Sequence, residues 1–563
     1  MSLLTRQRLS LLNRLKPDET QSTSSSGTGQ EDQKKVNRPV LHKPTGTIQA
    51  GMNRIAEMSM IQEVESQGIK ILVGYSFCRI VYPKIIINKV SDKFTAYVRG
   101  AQFSKAFRDG KWDGKRSLVN KRDGSFGVGL LGDVIGFLKY ELKIRPELIH
   151  IEELREKPEK IYNFEWCFNK PFRKAQEEAL ANLRRTEIGI LKMVTGAGKG
   201  LIFAKIIQEL GVRTLVAIPS KELLYQTLNN LQSQLGGSDV SIGLLGDGHY
   251  PEDYDSIVVA MYPSLVSLRG DNKYSKQQFI ESMSAFDLLI CDECHKICSR
   301  DQITKTWETI MCINAFYRYG VSATPYEQED TIAEMLIRSS FGHLAYNLTM
   351  EEAKEDHYVT PFTVVFLKPS YSAEMKRGNT GMNFQEAHDY FIGNNLERNT
   401  AVVQAAKRLI QDGRKTMVVA QRINHNELLA KMLAEELGDE NVYLLHGQLE
   451  KFYRQYSMEE FKRRPDPCVM VASSVGNDGI DIPDISGIVL AHGGKSFFQN
   501  VQRTGRGLRV ADGKQNLIFV DFDDAELGRW FKNHTGIRAR YYKELGATVA
   551  SSLEEALAGK ESQ

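Results

Sequence analysis

Met193-Val194-Thr195-Gly196-Ala197-Gly198-Lys199-Gly200 follows the apolar run Ile188 to Leu191 and leads into Leu201-Ile202-Phe203-Ala204-Lys205-Ile206-Ile207, whose apolar spacing is helical. Strand, glycine-rich loop and helix in that order make a phosphate cradle. Glycines let the backbone curl until the N–H groups of Thr195, Gly196, Ala197, Gly198, Lys199 and Gly200 face an anion. The helix N-terminus adds partial positive charge, and the Lys199 ammonium reaches the outer phosphates. The expected ligand is a nucleotide's phosphates with Mg²⁺. Two positions depart from the general G-x-x-x-x-G-K-[ST] pattern: Met193 stands at the first glycine, and Gly200 at the hydroxyl residue that would touch Mg²⁺. The competing reading is an ordinary glycine-rich turn, which the remainder of the chain has to exclude.

Around this stretch, apolar strand-like runs alternate with amphipathic helical ones, the pattern of parallel sheets covered by helices. Strands are expected at Gly189 to Val194, Thr214 to Ile218, Ser256 to Ala260, Asp287 to Cys291 and Phe316 to Ser322. A second series runs through Thr363 to Leu367, Thr416 to Ala420, Val442 to Leu445, Cys468 to Ala472, Gly487 to Ala491 and Asn516 to Asp521. Two doubly wound α/β domains in tandem follow, with ligands at the C-terminal ends of their strands. Upstream, Ile69 to Val73, Lys84 to Val90 and Phe94 to Arg99 read as short β runs and Leu130 to Leu142 as an amphipathic segment, together a small α+β domain. A chain of 563 residues exceeds what one hydrophobic core serves. The expected divisions are a disordered tail and linker over 1–45, the small domain over 46–155, the α/β domains over 156–345 and 346–528, and an extension over 529–563.

The net charge of +3 conceals an uneven distribution. Between Lys84 and Arg145 stand 14 Lys/Arg against 6 Asp/Glu, a local +8, so the remainder carries −5. That balance suits a polyanion-facing surface. Within it, Phe107-Arg108-Asp109-Gly110-Lys111-Trp112-Asp113-Gly114-Lys115-Arg116 sets an aromatic ring among cations and Asp-Gly turns. Arg108, Lys111, Lys115 and Arg116 are candidate phosphate contacts, with Trp112 either stacking on a base or plugging the small core. Seven scattered cysteines form no disulfide framework and fit a reducing compartment. Cys291-Asp292-Glu293-Cys294-His295 has the C-x-x-C-H spacing of haem attachment or half a zinc site, but no second Cys/His pair follows at finger-like spacing. No secretory signal or membrane span is expected. Met1 to Lys16, leucines among Arg6, Arg8, Arg14 and Lys16, reads as a loosely attached tail or a partner-docking helix.

Asp292 and Glu293 follow a buried-looking strand, where the first carboxylate can hold Mg²⁺ through water and the second can polarise the attacking water. With Val321-Ser322-Ala323-Thr324-Pro325 ending the next strand, the order resembles that of superfamily 2 nucleic-acid helicases of the DExH type, the box itself being Asp292-Glu293-Cys294-His295. The resemblance implies two RecA-like domains. It implies an adenine-reading role for Gln176 in Pro171-Phe172-Arg173-Lys174-Ala175-Gln176, and strand-gripping roles for the stretches holding Ser220 and Ser264. In the second half, Ser473-Ser474-Val475-Gly476-Asn477-Asp478-Gly479-Ile480-Asp481-Ile482-Pro483 resembles motif V. This implies nucleic-acid contact at Ser474 and nucleotide contact at Gly479 and Asp481. Gln502-Arg503-Thr504-Gly505-Arg506-Gly507-Leu508-Arg509 resembles motif VI, which implies catalytic roles for Gln502, Arg506 and Arg509 beside Lys199 and Glu293. Arg506 and Arg509, three residues apart, are spaced to share a helix face and stabilise charge on the γ-phosphate.

Arg108-Asp109-Gly110-Lys111-Trp112-Asp113-Gly114-Lys115, Phe126-Gly127-Val128-Gly129-Leu130 and Val489-Leu490-Ala491-His492-Gly493-Gly494-Lys495-Ser496 are similar to the phage UvsW-type recombination and repair helicases. That resemblance implies a small DNA-binding domain before the motor. The implied activity is ATP-dependent work on branched DNA: Holliday-junction branch migration, fork regression and unwinding of D-loops or R-loops. The implied setting is the cytoplasm of a bacterial host, with phage recombination and replication proteins as partners and no membrane. Three other readings stay open: a motor subunit of a restriction or defence complex, an RNA helicase, and, because Gly200 removes a Mg²⁺ ligand, an ATP-gated DNA clamp that does not hydrolyse.

Overall fold

The computed structural model describes residues 59–559 apart from 99, 195, 253–254, 271–275, 299–302, 327–330, 357, 359–360, 374–381, 474–483, 495–515 and 545. The first unit is built on β1 (Ile69–Val73) and β2 (Phe77–Tyr82), which alternate buried and more accessible residues as a strand covered on one face does. Lys84 to Val90 is not a strand. It opens α1 (Lys84–Lys93), with Pro83 at the cap and Ile86, Ile87 and Val90 on the buried face. The isoleucine run carries β propensity, but the polar residues Asn88, Lys89, Asp92 and Lys93 leave an apolar stripe only at helical spacing, and proline is tolerated at a helix entry. With β3 (Ser125–Gly127) and β4 (Ile149–Glu153) the sheet order is β3-β2-β1-β4, β1 lying antiparallel to β2 and parallel to β4. Thr95–Tyr97 and Lys115–Ser117 form a separate antiparallel pair.

The second unit contains α2 (Lys174–Leu183), β5 (Ile188–Lys192), α3 (Lys199–Leu210), β6 (Thr214–Ile218), α4 (Lys221–Gln234), β7 (Ile242–Leu245), β8 (Ile257–Met261), α5 (Tyr262–Gly270), β9 (Leu288–Asp292), β10 (Tyr317–Ser322), α6 (Thr331–Phe341) and β11 (Leu344–Asn347). The third contains β12 (Phe362–Leu367), α7 (Leu396–Gln411), β13 (Thr416–Ala420), β14 (Val442–Leu445), α8 (Lys451–Arg463), β15 (Val469–Ser473), β16 (Gly487–Leu490), β17 (Leu517–Phe522), α9 (Arg529–Glu544) and β18 (Thr548–Ala550). Their sheets are all-parallel, in the orders β7-β8-β6-β9-β10-β5-β11 and β14-β15-β13-β16-β17-β12-β18. Seven strands later in the chain, the second sheet repeats the permutation of the first. These are the two RecA-like domains. β6, β10, β13, β15, β16 and β17 are buried at every residue, which is why they read as largely apolar runs, with Arg318 and Ser322 of β10 and Asp521 of β17 among the buried polar exceptions. The divisions at 345 and 528 move: β11 still belongs to the first sheet, and 529–559, set apart above as an extension, complete the second through α9 and β18.

The small unit is seated on the first RecA-like domain. A Cβ on Gly129 would overlap the Arg338 carbonyl oxygen of α6, and one on Gly127 the Ser339 carbonyl oxygen, so the Gly-Val-Gly run permits backbone-to-backbone approach. Arg338 pairs with Asp133 at 2.6 Å, and the Ser76 hydroxyl donates to the Ile313 carbonyl at 2.8 Å. Fully buried Arg318 on β10 donates to Ser76 Oγ and to the Ile310 and Ser340 carbonyls, a cation held by neutral oxygens across the junction.

The second RecA-like domain buries a polar cluster. Burial, with the Arg398 guanidinium adding to it, holds the His388 imidazole at about 4 and that of His425 at about 3, both well below the ordinary value of 6.5. The unfolded chain binds protons near pH 6.5 that the folded one refuses, so stability is complete above that pH and falls as pH drops toward 4. The expected loss by pH 4.5 is on the order of 2 kcal/mol per histidine. Melting temperature against pH for wild type and His388→Gln checks this: the variant's acid slope should be shallower, and parallel slopes would exclude the assignment.

Candidate functional site

All strands of the first sheet run the same way, so the segments leaving β5, β6, β8, β9 and β10 gather at one edge. There the phosphate loop leaves β5, Ser220 precedes α4, Ser264 lies in α5, and Asp292 and Ser322 end β9 and β10. Met193 departs from the glycine pattern for a visible reason. Its N–H continues the sheet by donating to the Ser322 carbonyl at 3.1 Å, and its side chain is fully buried, so no left-handed turn is needed there. The turn comes later, where Gly196 and Gly198 have φ of 92° and 84°. A Cβ on Gly198 would strike the Gln176 amide, whose Nε2 donates to the Ala197 carbonyl at 2.9 Å while its Oε1 accepts from the Arg173 N–H at 3.0 Å. Gln176 therefore ties the start of α2 to the phosphate loop. Thr195 lies outside the described residues.

Lys199, the first residue of α3, places Nζ 3.7 Å from Glu293 Oε1, with side chains 12% and 20% exposed. Burial alone would depress the ammonium, but the charges of Glu293 and Asp292 outweigh it and hold its pKa above the ordinary value. Burial pushes the Asp292 carboxyl up to about 6, with Lys199 opposing and Glu293 reinforcing the shift. Asp292 Oδ1 accepts the Glu293 N–H at 3.0 Å. Glu293 sits at φ 49°, a left-handed conformation that a non-glycine residue adopts at a cost, commonly at functional sites.

On the other side of Glu293, His295 Nδ1 lies 2.8 Å from Ser322 Oγ and 3.4 Å from Glu293 Oε2. Ser322 Oγ is 3.4 Å from the same carboxylate oxygen and accepts the Thr324 N–H at 3.0 Å. One carboxylate thus touches the phosphate-loop lysine through Oε1 and the end of β10 through Oε2. A change of charge at Glu293 would be felt by both groups. The sequence quoted His295 and Ser322 as box residues without this contact. It missed altogether that the Tyr262 hydroxyl donates to the Asp292 carbonyl at 2.7 Å and fixes the strand end. Nothing in the spacing of residues 262 and 292 signals that bond.

Among the other candidates, Gly200 lies in the first turn of α3, where a Cβ would meet Asn230 Nδ2 at an ordinary 3.5 Å. Ser220 precedes α4 and its hydroxyl makes no capping bond. In the small unit Arg108, Lys111 and Lys115 are exposed and Arg116 half-buried. Trp112 is half-buried, with its indole N–H donating to the Lys115 carbonyl at 2.7 Å, so the ring also braces the basic turn. Ser474, Gly479, Asp481, Gln502, Arg506 and Arg509 lie outside the described residues. No helix among the described residues is long and apolar enough to cross a membrane.

Residues 169–327 match the family described as type III restriction enzyme, res subunit, and residues 400–511 the helicase conserved C-terminal domain. The chain is 25% identical over 477 residues to the ATP-dependent DNA helicase uvsW of Enterobacteria phage T4, covering 80% of this chain and 89% of that protein. It is also 25% identical over 380 residues to the DNA 3'-5' translocase XPB2 of Sulfurisphaera tokodaii, covering 61% and 80%. In fold it is similar to the ATP-dependent type ISP restriction-modification enzyme LlaBIII bound to DNA, with a TM-score of 0.51, 16% identity and coverage of 73% of this chain and 35% of that one. Two sheets of one strand order, with the phosphate loop and the Asp-Glu-x-His box brought together in the first and the helicase C-terminal match spanning the second, place the chain among the ATP-dependent helicases of superfamily 2.

Proposed function

We propose that the chain is an ATP-driven DNA helicase or translocase acting on branched DNA, by branch migration of four-way junctions, fork regression and unwinding of D-loops or R-loops in phage recombination and repair. The observation that carries this reading is the Glu293 contact, which joins Lys199 to His295 and Ser322 and is suited to passing a change at the nucleotide to the end of β10. Support for DNA comes from the names of the relatives and from the local +8 of residues 84–145, carried on a unit seated against the motor. Ser220 and Ser264, at the sheet edge that also holds the phosphate loop, are suited to gripping backbone phosphates without reading bases. Arg506, Arg509 and Gln502 act on the γ-phosphate from the second domain, with Gly479 and Asp481 as nucleotide contacts and Ser474 on the strand. Proteins of phage recombination and replication are the expected partners in a bacterial host.

Mg²⁺ fits the donor chemistry. Asp292 offers one carboxylate, and a Mg²⁺ ion bound to a nucleotide takes its remaining ligands from phosphate oxygens and water, neutralising phosphate charge. The Cβ of a serine at 200 would fit at an ordinary contact distance, and its side chain would bring a hydroxyl. Gly200→Ser is therefore expected to fold normally and to lower the Mg²⁺ concentration for half-maximal turnover by about fivefold, the worth of about 1 kcal/mol. A Mg²⁺ titration of ATP hydrolysis reads it, and an unchanged midpoint would remove residue 200 from the ion's surroundings.

The deciding experiment is ATP hydrolysis with Mg²⁺ in the presence of a four-way DNA junction, linear duplex, single-stranded DNA or RNA. Junctions should stimulate turnover several-fold more than linear duplex, with steep loss as salt rises. Stimulation by RNA alone would replace the DNA reading, and nucleotide and DNA binding without turnover would make the chain a clamp.

A further inference from the structure

α8 carries aromatic residues on two faces, and only one face is explained by packing. On the inner face Phe461 is fully buried, meets the Tyr443 ring of β14 edge-on at 5.6 Å and lies under the Lys415 ammonium. On the outer face, in the first two turns, Phe452 is 70% exposed, Tyr453 56% and Tyr456 55%. The Phe452 and Tyr456 rings, one helical turn apart, are nearly parallel at 15° with centroids 6.5 Å apart, while Tyr453 packs edge-on against Phe452 at 5.7 Å. Three large aromatic side chains within five residues make an exposed apolar patch of a kind that marks an interaction site.

Its place in the fold and its charge say what it meets. Five residues separate the end of β14 from α8, so its aromatic end stands at the strand C-terminal edge of the second sheet, the edge at which such sheets bind ligands. In sequence Arg454 stands between Tyr453 and Tyr456, a cation beside π-faces, a mixture suited to a polyanion with planar groups. The first domain offers a parallel. β7 occupies the position in its sheet that β14 holds in the second, and the turn that follows it presents Tyr250, 75% exposed.

We propose that Phe452 and Tyr456, with Tyr453 supporting them, form a stacking platform for the bases of single-stranded DNA, holding one strand as the motor steps along it. The inference rests on the DNA reading above and adds the residues that would bind bases rather than phosphates. Stacking is indifferent to sequence because every base has a π-face, whereas it requires that bases be present.

The test uses the full chain and fluorescently labelled oligo-dT, read by anisotropy across a salt series, beside an oligonucleotide of equal length made abasic throughout. Phe452→Ala/Tyr456→Ala should weaken dT binding about tenfold or more. The salt slope should stay unchanged, since phosphate contacts set it. Binding of the abasic strand and ATP turnover without nucleic acid should be unaltered, and Phe452→Trp should restore much of the lost affinity in the Tyr456→Ala background. Equal dT binding by wild type and the double variant overturns the platform while leaving the DNA reading intact. So does an equal loss on the abasic strand. A wild-type chain that binds neither strand, or binds oligo-U far more tightly than oligo-dT, overturns both.

Discussion

Glu293→Gln is expected to reduce ATP turnover by roughly 10²–10³-fold while leaving ATP binding in place. The substitution preserves shape and removes a carboxylate that reaches both Lys199, at 3.7 Å, and the His295–Ser322 pair, at 3.4 Å. An amide oxygen accepts a hydrogen bond but does not take a proton from water, so the chemical step suffers most. Lys199 loses part of its counter-charge and turns more fully to the nucleotide, so the affinity for ATP should hold or rise. Single-turnover hydrolysis beside equilibrium binding of a fluorescent ATP analogue separates the two effects. Turnover within threefold of wild type would move the catalytic base elsewhere. A parallel loss of binding and turnover would mean that the carboxylate serves the loop's structure instead.

Asp524→Ala should cost the second RecA-like domain about 3–5 kcal/mol, because it leaves a guanidinium buried without its partner. Arg398 and Asp524 are fully buried and joined by two parallel bonds of 2.9 and 3.0 Å, with the Tyr371 hydroxyl donating to the same carboxylate at 2.6 Å. The third arm of Arg398 donates to the Ala491 carbonyl at the end of β16, 2.6 Å away, so the pair locks α7 to two strand ends. For a domain of this size the expected fall in melting temperature is about 10 °C. The double change Arg398→Met/Asp524→Leu replaces charge with apolar volume and should recover much of it. Calorimetry of the full chain would register a shift in the second domain's transition. Loss below 1 kcal/mol in Asp524→Ala would show that water reaches the pair.

The central parallel strands were legible in the residues because they are buried along their whole length, and such burial favours near-continuous apolar runs. Thr416 to Ala420 and Val442 to Leu445 match the observed bounds to the residue. The phosphate loop and the acidic pair were legible for a related reason: their chemistry is local, needing glycines at positive φ and carboxylates at a strand end. Lys84 to Val90 misled because a run of three isoleucines satisfies strand propensity, and only the surface it packs on decides between the two periods. The thin signal at Thr548–Ala550 failed differently. An edge strand of three residues has little to bury, and it exists because β12 offers it hydrogen bonds.

Residue order alone was enough for two α/β domains, a nucleotide loop and a basic leading unit, since each is written in contiguous residues whose periodicity or chemistry is self-sufficient. Contacts between distant residues were decided by folding. Met193 extends the sheet ladder one bond past β5 because Ser322 accepts its N–H, Gly129 is a glycine because α6 crosses it, and Tyr262 fixes the end of β9 from 30 positions away. The exposure of Phe452 and Tyr456 belongs to the same class: aromatic residues in a helix look alike in sequence whether they face a core or solvent, and the sheet beneath α8 buries Phe461 instead.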